Sequence, residues 1–212
     1  MNRRQILLGG LGFGLVATAL PALSGRVLAA DPPAGLDPAT GLFLDDRTLG
    51  NPAAKVVLIE YASLSCPHCA NFHATILPRL KTEWIETGKL LYVYRHFPLN
   101  APALWAALVT ECQQGDAFFG MLDLLFAQQQ QWLTAEDTAG ELFKVSQLAG
   151  FDQARFDQCV NDEAMLNKIL DRVDYATAAY DIKGTPTVIL NGEKVQPKTY
   201  EELSKAIEIL QG

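Results

Sequence analysis

Two cysteines stand two residues apart in "SCPHC", as Cys66 and Cys69, directly after the apolar run "KVVLIEY". A thiol pair at this spacing can be a redox centre, half of a metal site or a structural staple. Proline is favoured in the first turn of a helix, so Pro67 predicts that a helix opens there. Cys66 would then sit at a helix N-terminus, where unsatisfied N–H groups and partial positive charge favour thiolate over thiol. The thiolate is the species that attacks and leaves in disulfide exchange. Cys69 lies one helical turn on, close enough to close a small reversible ring. His68 can donate a hydrogen bond or carry positive charge beside Cys66. A stabilised Cys66 thiolate stabilises the dithiol and makes the disulfide the more oxidising form, so the pair is expected to accept electrons.

The other readings are weaker. A closed structural metal site needs four ligands; the pair supplies two, Cys112 and Cys159 stand singly, and His73 and His96 lack ligand spacing. No metal and no cofactor are expected. An inert disulfide between Cys66 and Cys69 would cross-link almost no chain.

Glu60 interrupts the apolar run six residues before Cys66. Its plain reading is a solvent-facing edge carboxylate. The functional reading is a partly buried acid below the pair that relays a proton for Cys69. Thr185-Pro186 precedes the apolar segment "TVIL". Proline is tolerated at a strand's start, but a cis peptide facing the cysteines is the sharper expectation. It would leave neighbouring backbone free to pair with an extended substrate. Cys112 and Cys159 remain once the active pair is set aside. A second disulfide is expected; buried free thiols or a pair that tunes the site are the alternatives. His73 reads as a surface residue, and His96, ending a strand, as a residue that could lie near the site.

The surrounding elements must position these groups. Residues 55–61 suit a strand buried on both faces. A helix follows from Pro67, with Phe72, Ile76 and Leu80 inward and a kink at Pro78. Residues 89–97, "KLLYVYRHF", form a second strand. From Ala101 to about Tyr180 the periodicity is helical throughout. That is far longer than the dozen or so residues a crossover needs, so it reads as a helical subdomain. Strands return at 185–190 and at "EKVQ", joined by the hairpin signal Asn191-Gly192. A last helix is capped by Thr199 with Glu202 three residues on. The expected class is α/β, and the order β-α-β, helices, β-β-α resembles a thioredoxin fold with an inserted all-helical subdomain. The expected divisions are 1–30, an export signal; 31–51, a leader with one short strand at 41–44; 52–100 and 181–212, the thioredoxin-like part; and 101–180, the insert.

The export signal rests on Arg3 and Arg4, an uncharged stretch over residues 6–23, and the small-residue end "RVLAAD". "NRRQILL" leaves the Tat and Sec routes both open. Its removal leaves 14 Lys and Arg against 24 Asp and Glu, a net charge of −10. That excess of acid excludes nucleic acid and an anionic membrane surface as partners. An exported chain meets an oxidising compartment, where thiol chemistry is the first reading of four cysteines.

Taken together, "CPHC", Glu60 before it, Thr185-Pro186, "LGNPAAKVVLIEY" and "YRHFPL" resemble the DsbA family of exported thiol-disulfide oxidoreductases. The resemblance covers nearly the whole mature chain. It implies a monomeric periplasmic oxidant that passes its disulfide to reduced exported polypeptides and is restored by a quinone-linked membrane thiol oxidase. It also implies that a second cysteine pair in the helical part is a disulfide. Threonine before the proline, where the best-known oxidant has valine, also occurs in isomerase and reductase relatives. An isomerase or reductase of the same fold is therefore the alternative, and a thiol-based copper carrier a more distant one.

Overall fold

The computed structural model describes residues 33–212. The expected export signal, residues 1–30, lies outside this range. A small hairpin of β1 (Leu36–Asp37) and β2 (Leu42–Phe43) precedes a five-stranded sheet. The sheet comprises β3 (Arg47–Gly50), β4 (Val56–Ala62), β5 (Leu90–His96), β6 (Thr187–Leu190) and β7 (Glu193–Val195), in the order β3-β5-β4-β6-β7. Strands β4 and β5 are parallel, and every other pairing is antiparallel.

Strand β4 is central, which explains its near-continuous apolar sequence. Val56, Leu58 and Ala62 pack on one face, and Ile59 and Tyr61 on the other with Val93 and Ile189. Glu60 shares the first face and is fully buried there. Its register neighbours are Tyr94 on β5 and Val188 on β6.

The chain segment before residue 52 is more than a leader, because β3 forms an edge of the main sheet. Its four residues are too short to show a strand period. Gly50 at its end has φ +104°, and a Cβ there would lie 2.4 Å from the Leu90 carbonyl oxygen. Only glycine fits that approach.

The helix after the cysteines runs through residues 67–85. It starts as α1 (Pro67–Asn71), widens into a π turn at Phe72–Ile76, resumes as α2 (Leu77–Leu80) and widens again at Lys81–Ile85. The Leu77 N–H donates to the Phe72 carbonyl, five residues back. The wider turn just before Pro78 makes room for a ring that would collide with the preceding turn of a regular helix.

Six helices follow: α3 (Ala101–Glu111), α4 (Asp116–Ala127), α5 (Gln129–Leu133), α6 (Thr138–Leu148), α7 (Gln153–Val160) and α8 (Glu163–Tyr180). Asn100, Asp137, Asp152 and Asp162 each cap a helix by accepting a backbone N–H. The helices do not form a separate body. Phe118, Met121, Leu122 and Trp132 belong to the same apolar cluster as Leu58 and Phe72. Ala176 of α8 packs against the opposite face of the sheet. Helix α9 (Tyr200–Gln211) closes the chain, with Thr199 Oγ1 accepting the Glu202 N–H at 3.2 Å. The Glu202 carboxylate accepts the Lys198 N–H rather than that of Thr199.

Candidate active site

Cys66 occupies the N-cap of α1 in extended backbone (φ −87°, ψ 120°), with Pro67 next. The strand delivers the chain to this point and the helix carries Cys69 back beneath it. Both thiols are reduced and buried. The two sulfurs differ sharply. Hydrogen bonding from the Cys69 thiol, then from the first-turn N–H groups of Cys69 and His68, brings the Cys66 thiol down to about 5 against the cost of burial. Burial pushes the Cys69 thiol up, and the Cys66 sulfur and the charge on Glu60 push it further. One sulfur is built to be a thiolate and the other to keep its proton, which is the division of labour that disulfide exchange needs.

The His68 side chain is exposed, and it is its backbone N–H that favours the thiolate. This corrects the expectation of a side-chain donor: at the second residue of a helix the N–H points at the N-cap while the side chain projects outward.

The Thr185-Pro186 peptide is cis. The Cys66 thiol donates to the Thr185 carbonyl at 3.2 Å, although 119 residues separate them. A groove of about 570 Å³ runs beside this contact, lined among others by His68, Phe72, Ile76, Thr185, Pro186 and Val195.

Behind the pair, the Tyr92 hydroxyl donates to Glu60 Oε2 at 2.5 Å. Tyr92 and Tyr94 alternate along β5 so that both face Glu60, and burial holds both phenols well above their ordinary range. His73 is buried rather than at the surface, and its Nε2 lies 3.2 Å from Glu60 Oε2 without hydrogen-bond alignment. It lies one turn after buried Cys69 and one turn before buried Leu77, on the inward stripe of the helix. His96 turns away from the cysteines, lying 3.6 Å from Glu111 and against Phe118. Burial lowers it to about 4, so it is neutral.

Two contacts had no clear sign in the sequence. Gln129, the buried member of a four-glutamine run, donates to the carbonyls of Leu64 at 2.8 Å and Cys66 at 3.0 Å. Tyr92 could have been suspected only from the two tyrosines alternating on one strand face. Cys112 and Cys159 are joined as a disulfide between the end of α3 and α7. No cluster of His, Cys, Asp and Glu suited to a metal ion occurs among the described residues.

A cysteine pair at the mouth of a strand–helix junction, faced by a cis proline, defines a thiol-disulfide oxidoreductase built on the thioredoxin fold. Residues 44–209 match the thioredoxin family. The crystal structure of Wolbachia pipientis alpha-DsbA1 superposes with a TM-score of 0.75 at 31% identity, covering 81% of this chain and 93% of that one. A protein-disulfide isomerase from Novosphingobium aromaticivorans superposes at 0.73 with 25% identity, covering 79% and 97%. A Rickettsia bellii protein, provisionally named a protein-disulfide oxidoreductase, is 32% identical over 77% of this chain. The match spans 64% of that relative's length. The chain belongs to the thioredoxin family and, within it, to the DsbA group of thiol-disulfide oxidoreductases.

Proposed function

We propose that the protein donates the Cys66–Cys69 disulfide to reduced exported polypeptides in the periplasm and is then reoxidised by a quinone-linked membrane thiol oxidase. The observation that carries this reading is the asymmetry of the sulfurs: Cys66 lowered to about 5 and Cys69 pushed up. Stabilising one thiolate stabilises the dithiol, and a stable dithiol makes the disulfide a strong oxidant.

In the oxidised protein a substrate thiolate attacks Cys66. The bond to Cys69 breaks, the electron pair moves to the Cys69 sulfur, and a mixed disulfide forms. Glu60 passes a proton to Cys69. A second substrate thiolate then attacks the substrate sulfur of the mixed disulfide, and Cys66 leaves as the stabilised thiolate. The groove beside Pro186 receives the substrate as an extended segment, with backbone near Thr185 available for pairing.

Equilibration of the pair with glutathione tests this. An oxidising potential is expected, near that of the strong oxidants of the fold; a potential as low as thioredoxin's reverses the direction. The likeness to a protein-disulfide isomerase favours reshuffling as the second reading. Efficient refolding of a scrambled multi-disulfide substrate without added oxidant would establish it.

A further inference from the structure

We infer that His73 is the group through which protons pass between solvent and Glu60 during disulfide exchange. This rests on the reading of Glu60 as the relay for Cys69. His73 is 8% exposed, its ring lies over Phe126 with centroids 4.2 Å apart, and it meets Tyr94 edge-on. Among the described residues, neither of its ring nitrogens has a hydrogen-bond partner, nor has Glu60 Oε1. Buried polar atoms are rarely left this way, and each costs stability. A leucine or phenylalanine would cover the same apolar neighbours without that cost, so packing alone gives no reason for an imidazole here.

The geometry supplies one. On one side His73 Nε2 lies 3.2 Å from Glu60 Oε2. On the other, His73 forms part of the wall of a cavity of about 330 Å³, together with Ala74, Pro78, Lys81, Asp123 and Phe126. Lys81 and Asp123, both partly exposed and 3.3 Å apart, stand where this cavity meets solvent. It has room for several waters, each of which takes about 30 Å³ in the liquid. Of the three titratable side chains that line this cavity, His73 is the one in contact with the fully buried Glu60.

When a substrate thiolate attacks the Cys66 sulfur, the new S–S bond forms as the Cys66–Cys69 bond breaks, and the electron pair goes to Cys69. Burial opposes a thiolate there, so a proton must arrive with the electrons. Cys69 takes it from Glu60, and His73 reprotonates the carboxylate with a proton drawn from the cavity. Resolution by the second substrate thiolate completes a two-electron oxidation of the substrate and leaves Cys66 as the thiolate. Reoxidation sends the Cys69 proton out along the same path.

Single-turnover reduction of the oxidised full-length protein by a dithiol peptide tests this by stopped flow. His73→Ala is expected to slow the step about tenfold, below the usual contribution of a direct general acid because His73 acts through Glu60. Added imidazole should restore the rate. Pyrazole, the same ring shape but no base at neutral pH, should not. His73→Phe, which keeps the packing on Phe126, should be slow as well, and imidazole should leave Glu60→Gln unaffected. A wild-type rate in His73→Phe overturns the inference, as does rescue by pyrazole equal to that by imidazole, or a slow His73→Ala that imidazole leaves slow. Slow Glu60→Gln beside normal His73→Phe removes only the role of His73; a wild-type rate in Glu60→Gln removes the relay itself.

Discussion

The Cys66 thiol donates to the carbonyl oxygen of Thr185 at 3.2 Å, bringing the N-cap of α1 against the residue before the cis proline. The reacting sulfur therefore sits at the edge of the backbone on which a substrate segment would lie. Neither cysteine lines the groove, but Cys69 is fully buried whereas Cys66 keeps 6% exposure. Attack on the pair is thus confined to one sulfur. Cys66→Ser should abolish disulfide transfer. Cys69→Ser should keep a reactive Cys66 and accumulate mixed disulfides with substrate, seen as slower bands on a non-reducing gel that vanish with dithiothreitol. Equal trapping by Cys66→Ser would contradict the assignment.

Thiolate absorbance of the reduced protein should show one group titrating at about 5, lost in Cys66→Ser. The sign of the linked stability follows. The folded value lies below the ordinary 9.0, so between about pH 5 and 9 the unfolded chain holds a proton that the folded chain lacks. Stability of the reduced protein should rise with pH across that window and be lost as pH falls through 5. Denaturant midpoints of wild type and Cys66→Ser against pH measure it; parallel curves would remove the depressed thiol.

Gln129 ties the helical insert to the active loop through the Leu64 and Cys66 carbonyls. The Cys66 carbonyl keeps the Ala70 N–H, whereas Gln129→Leu removes the side-chain donor to both. Loss of about 1–3 kcal/mol is expected from the Leu64 carbonyl left without its donor. Gln130→Leu, on the exposed side of the same helix, should change the denaturation midpoint little.

The Cys112–Cys159 disulfide closes a separation of 47 residues. Cys112→Ala with Cys159→Ala should cost about 2–4 kcal/mol by releasing that loop in the unfolded chain. Chemical denaturation measures the loss. The potential of the Cys66–Cys69 pair should stay unchanged, since the second disulfide joins α3 to α7 while the pair lies on α1; a shift would make it a tuning element instead.

Much of this was legible in the chain itself. "KVVLIEY" announced a central strand because a strand covered on both faces needs apolar residues at every position. "CPHC" announced the thiolate because proline and the spacing of the cysteines place one sulfur at a helix start. Local rules determined these features: the fold class, the reactive pair, the anomaly at Glu60, the cap at Thr199 and the turn at Asn191-Gly192. The meeting of His73 with Glu60, the reach of Gln129 and the edge strand at Arg47–Gly50 were decided only in three dimensions. His73 falls on the same helical stripe as Cys69, Phe72, Ile76 and Leu77, but nothing in that spacing shows that Glu60 of β4 lies across from it. Gln129 is chemically the same as the glutamines beside it, and differs only in facing a loop more than 60 residues earlier. The edge strand at Arg47–Gly50 exists because β5 offers it a partner. Spacing along a chain encodes which groups share a helix or strand; which groups meet across elements depends on how those elements pack.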